Sequence, residues 1–127
     1  MTLPVNARVE AAPNFLSNLA VAELFFVEQD ADSAPERLRK LKAALREMIA
    51  VLSWSPAGGQ PARFLAGRSV QARLRVEAVQ QLAVLAGLPH LREYVVNRHI
   101  VLYAHSENEV VLLALKHQRQ LTYSTED

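Results

Sequence analysis

The hydrophobic period of this chain changes twice, and those changes limit the folds open to it. From Val5 to Ala11 the residues alternate, with Val5, Ala7, Val9 and Ala11 against Asn6, Arg8 and Glu10, the period-two mark of a half-buried strand. After Pro13-Asn14 the spacing lengthens to three and four. Phe15, Leu19, Ala22 and Phe26, joined by Leu16, Val21 and Phe25, form a wide apolar stripe that predicts a helix to about Glu28, with Asn14 as its N-cap. The polar stretch Gln29-Asp30-Ala31-Asp32 is short, so the next helix doubles back beside the first. Ser33 and Glu36 have capping-box spacing, with Pro35 tolerated in the first turn. Leu38, Leu41, Leu45, Met48 and Leu52 then repeat at helical intervals, completing an antiparallel hairpin that ends near Ser53 and is closed by Pro56 and Gly58-Gly59. Trp54, at the exit, reads as a hydrophobic plug under the hairpin.

The segment from Arg63 to Ser69 is ambiguous. Val70 to Ala86 reads helical, with Leu74, Ala78, Leu82 and Leu85 on one stripe and Gly87 followed by Pro89 as the stop. Strand character then returns in Leu91–Val96, Ile100–Tyr103 and Val110–Leu115, the last two joined by the polar turn Ser106-Glu107-Asn108-Glu109. Both parities of Val110–Leu115 are apolar, so spacing alone does not assign its faces. The expected fold is α+β, a small sheet of about four strands, one N-terminal and three C-terminal, packed by an α-helical hairpin. One extra helix, 70–86, precedes the C-terminal strands, and residues 1–127 make a single domain.

A chain of 127 residues, half of them hydrophobic and 21% charged, buries a core without metal or disulfide help. It has no cysteine, which excludes a disulfide framework, a thiolate zinc site and a cysteine nucleophile. No apolar run approaches the roughly 20 residues that span a bilayer, and residues Met1 to Glu10 do not read as a signal peptide. No membrane association is expected, and the cytoplasm is the expected location. The net charge is +1, a small excess for a protein that holds nucleic acid by neutralising phosphates. Five bases nevertheless fall in Arg37–Arg46 and four in Arg92–Arg119, and all four histidines lie in the last third. Taken singly, each charge cluster reads as a solvated face.

The sequence carries no Gly-rich phosphate loop, no H-E-x-x-H, no G-x-S-x-G and no usefully spaced pair of carboxylates. Its histidines lack the tight spacing and carboxylate support of a metal site, so neither metal nor cofactor is expected. The polar density worth weighing ends the last strand: Lys116-His117-Gln118-Arg119-Gln120, then Tyr123. Alternation puts His117 and Arg119 on one face and Lys116 and Gln118 on the other, and a continued strand would add Tyr123 to the His117 side. Histidine or tyrosine can move a proton while arginine holds a scissile phosphate, which would serve phosphodiester cleavage, with Arg92 and Arg98 reaching the same face. The plainer account is a strand that turns polar as it leaves the core. His99 and His105 share parity with Tyr103 and read as satisfied, partly buried histidines.

Three segments together resemble the end of a RelE/ParE superfamily toxin: Leu91-Arg92-Glu93-Tyr94-Val95-Val96, His99-Ile100-Val101-Leu102-Tyr103, and Val110 to Leu121 with its His117-Gln118-Arg119 ending. The upstream order, strand then helical hairpin, is the one that family uses. The resemblance spans about the last 35 residues at motif level and the first 55 by order of elements. It implies the toxin of a type II toxin–antitoxin pair, held inactive by a cognate antitoxin. A RelE-like member would cleave mRNA on the translating ribosome, with Arg92, Lys116, His117, Arg119 and Tyr123 as the phosphate-holding and proton-moving set. A ParE-like member would inhibit DNA gyrase without cleaving RNA, using the same C-terminal surface together with the hairpin as a protein-binding face. The long hairpin, the His-Gln-Arg ending and the low charge lean to the ParE-like side. Helix 70–86 departs from the compact members. A non-toxic protein-interaction relative is a further alternative.

Overall fold

The computed structural model describes residues 6–62, 70–120, 123 and 125, the stretch 70–76 by its backbone alone. The start of the first expected strand, at Val5, and the ambiguous segment 63–69 lie outside the described residues. The fold is α+β: β1 (Arg8–Ala11), α1 (Pro13–Gln29), α2 (Ala34–Trp54), a 3-10 turn (Pro56–Gly58), β2 (Gln60–Pro61), α3 (Val70–Ala86), β3 (His90–Val96), β4 (His99–His105) and β5 (Glu109–His117). The strands form one mixed sheet in the order β1-β5-β4-β3-β2, with β1 parallel to β5 and every other pair antiparallel. The fifth strand is β2, two residues long and too short to leave a periodic signal.

Helices cover both faces of the sheet, which explains why both parities of the last strands are apolar. On one face Val101, Tyr103, Val110, Leu112 and Leu115 pack with Phe15, Phe26, Leu41, Leu45, Met48 and Leu52 of the hairpin. On the other, Leu102, Ala104, Leu113 and Ala114 pack with Val79, Leu82 and Ala83 of α3 and with Tyr123. Central strand β4 is buried throughout Val101–Ala104. The pairing of β4 with β5 slips between Leu102, opposite Ala114, and Tyr103, opposite Leu112. Leu113 is therefore the extra residue of a bulge, and the parity of β5 shifts there.

Two asparagines tie α1 to β5 where β1 has run out. Register with β1 covers only Glu109–Leu112, so the next backbone groups of β5 need other partners. Asn14 Nδ2 donates to the Leu113 carbonyl at 3.1 Å, and Asn18 Oδ1 accepts the Leu115 N–H at 2.9 Å. One helical turn apart, they stand in for a strand. Asn14 is thus not the N-cap: Ala12 occupies that position with no side-chain cap, and Pro13 starts the helix. Ser33 likewise forms no capping box, because its backbone is already helical (φ −89°, ψ −12°) and Glu36 is engaged with Arg39 instead. Trp54 is not a plug. It is 66% exposed, since it follows Leu52 by two residues and so falls on the opposite side of α2 from the buried stripe. The α3 stop is as expected, with Gly87 at φ +68°.

Candidate functional site

The end of the sheet nearest the α1–α2 connection opens into a cleft of about 500 Å³. Four elements build it. The C-terminal half of α1 supplies an apolar wall with Val21, Ala22 and Phe25, and α2 contributes Arg37 from its first turn. The β3–β4 turn, where Asn97 takes φ +54°, projects Arg98 beside His99, and β5 ends in His117 with Arg119 two residues on. Among the described residues no aspartate or glutamate lines the cleft.

His99 and His117 are direct cross-strand partners whose rings meet edge to face, centroids 5.3 Å apart. His99 also sits edge-on to Phe26 at 6.1 Å and is 8% exposed. Burial, reinforced by His117 and Arg37, lowers its pKa to about 4. The His117 pKa is lowered too, first by burial and then by Arg119, Arg98, Arg37 and Lys116. Both rings are therefore neutral at pH 7. His117 Nδ1 accepts the Arg119 N–H at 3.2 Å, so Nε2 carries the proton of the neutral ring, which lines the cleft. Arg37 is fixed by a 2.8 Å hydrogen bond to Gln29 Oε1 and lies over the Phe26 ring at 4.3 Å.

Of the residues expected from sequence, His117, Arg119 and Arg98 come together here. Lys116 reaches the cleft lining, but its ammonium is directed to the other side of the sheet. It donates to the Gln120 carbonyl at 2.9 Å and lies 5.5 Å from the centre of the Tyr123 ring. Tyr123 does not join His117. The strand stops at His117, the chain turns at Gln118-Arg119, and Tyr123 is buried on the α3 face with its hydroxyl donating to Glu93. Burial and that carboxylate push its phenol pKa up. Arg92 is also elsewhere, because it pairs with Tyr103, roughly 13 Å along the strand from His99 at ordinary strand rise. There it donates to His105 Nε2 at 3.1 Å and to the Gly59 carbonyl at 3.2 Å. His99 and His105 are buried, as their shared parity with Tyr103 implied, but His99 belongs to the cleft.

Arg37 and His99 are the residues sequence reasoning missed. Arg37 sat within a run of bases that reads as a solvated face. The signal for His99 was the register of the two C-terminal hairpins, which sets it opposite His117. No group of three or more histidine or carboxylate side chains among the described residues is placed to hold a metal. No helix among them is long and apolar enough to cross a membrane. No protein-family model matches the chain, and no curated protein matches its sequence.

Proposed function

We propose that this chain is the toxin component of a type II toxin–antitoxin module of RelE/ParE type, acting in the cytoplasm. Free of its antitoxin, it arrests growth by ParE-like inhibition of DNA gyrase through protein contact. One observation carries this reading: α1 carries large apolar residues on its outer face as well as on its buried one, and no described residue covers that outer face. Leu16, Val21, Leu24, Phe25 and Val27 are each at least 45% exposed, and the helix carries only Glu23 and Glu28 as charges. Such a contiguous patch marks a protein-binding surface, and it adjoins the cationic cleft. Antitoxin and target would in turn cover this combined surface. The order of elements, a strand, a helical hairpin and three antiparallel strands, supports the same reading.

The geometry gives less support to proton transfer. Tyr123 is on the far side of the sheet, and the His117 lone pair at Nδ1 is already used by the Arg119 N–H. The second reading, a ribosome-dependent mRNA endonuclease, is favoured by the cleft's arginines and by the lack of carboxylates among the described residues that line it. Two assays of the purified chain separate the readings. Gyrase supercoiling should fall while mRNA translated in vitro stays intact by primer extension. New 5′ ends at ribosome-occupied codons would favour the nuclease. No effect in either assay, with no growth arrest on induction, would leave a non-toxic interaction relative.

A further inference from the structure

The geometry points to the cleft as a binding site for a phosphomonoester, the terminal phosphate of a nucleotide-sized molecule, held by Arg37, Arg98 and Arg119 with the His117 ring beside them. This inference does not depend on the toxin reading. Three guanidinium groups arrive from three separate elements, α2, the β3–β4 turn and the turn after β5, around one concavity. Among the described residues no carboxylate pairs with any of them, whereas Arg8 and Arg39 are each neutralised by a glutamate. The fork of a guanidinium is built to bind oxyanions by paired hydrogen bonds. A carboxylate offers one charge and two oxygens. A phosphomonoester offers nearly two charges and three oxygens, the better match to three separated cations.

The other groups of the cleft fit the same ligand. The neutral His117 ring lines the cleft, and His99 holds it edge-on. Gln29 keeps Arg37 oriented, and the Phe26 ring beneath the guanidinium restricts it further, so less side-chain freedom is lost on binding. The wall that α1 supplies, with Val21 and Phe25, is apolar and aromatic, suited to the flat body of a nucleoside. A volume near 500 Å³ lies within the usual range for small-molecule sites.

Isothermal titration of the full chain at pH 8 and low salt tests this with adenosine 5′-monophosphate, adenosine and inorganic phosphate. The expected result is saturable 1:1 binding of the monophosphate, at least tenfold tighter than adenosine. Affinity for inorganic phosphate equal to that for the nucleotide would assign the site to the free ion, because the apolar wall would then add nothing. Arg119→Ala, an exposed position, should weaken the monophosphate tenfold or more, and Arg37→Ala should do the same with its circular dichroism unchanged. Arg39→Ala, outside the cleft, should stay within twofold of the parent. Absence of saturable binding would overturn the proposal, as would equal weakening by Arg39→Ala. Hexaglutamate displacing the nucleotide at lower concentration than inorganic phosphate does would overturn it in favour of an acidic protein segment.

Discussion

The two ends of the sheet's hairpin face hold the same kinds of residue and put them to different use. Each has a histidine pair in ring contact, His99–His117 edge to face at one end (5.3 Å) and His90–His105 tilted at the other (4.9 Å), and each has arginine beside it. At the His105 end the donors are engaged within the protein. Arg92 bonds His105 and the Gly59 carbonyl, and the Tyr103 hydroxyl donates to the Pro56 carbonyl while accepting the Gly59 N–H. The 3-10 turn and β2 close that end. At the His99 end the described residues provide no such cover, and Arg98 and Arg119 are exposed around a cleft. A basic cluster whose hydrogen bonds are satisfied internally is scaffold; one whose donors remain available is a candidate site.

The largest effect separating the ends should come from pH. His99 titrates near 4 in the folded chain against an ordinary 6.5, so below pH 6.5 the unfolded chain binds more protons. Its contribution is present above pH 6.5 and lost as pH falls towards 4, by up to about 3 kcal/mol. Denaturant midpoints measured across that window should drop, and His99→Leu should flatten the drop. Next in size is Gly59→Ala at the closed end. A Cβ there would lie 2.5 Å from the Glu93 carbonyl and 2.7 Å from the Tyr103 hydroxyl, so the backbone must shift, at a cost of about 2 kcal/mol seen as a lower melting temperature.

Asn18→Leu should cost about 1–2 kcal/mol in denaturant unfolding, because it leaves the Leu115 N–H without its side-chain acceptor. The smallest stability change, and the sharpest contrast, lies in paired arginine variants. Arg92→Ala should lower stability by about 1 kcal/mol and leave the cleft working. Arg119→Ala should stay within about 0.5 kcal/mol of the parent and disable it. Chemical denaturation alongside the functional assay checks both.

Much of the architecture was legible because its signals are local. The period change located β1, the hairpin, α3 and the three C-terminal strands, and Gly87-Leu88-Pro89 marked the end of α3. What escaped depends on tertiary context. Cover on both faces erased the alternation of β5, and the bulge at Leu113 shifted its parity. Asn14 and Asn18 look like ordinary cap or surface residues until the early end of β1 leaves β5 groups for them to satisfy. Trp54 looked like core by residue type, but helical phase placed it outside. In the site, His117, Arg119 and Arg98 were readable from the strand ending and the turn before β4. Tyr123 was misplaced by extending the strand past a turn, and Arg92 by ignoring its distance along β3.

Growth after induced expression bears on the proposal that the open cationic end is the working surface of a toxin and the closed end its support. The expected result is arrest by the parent chain and by Arg92→Ala at a temperature where it stays folded, with arrest lost in Arg119→Ala and Arg37→Ala at equal protein levels. Unimpeded growth with the parent chain, or arrest that survives both cleft variants and disappears with folded Arg92→Ala, would contradict it.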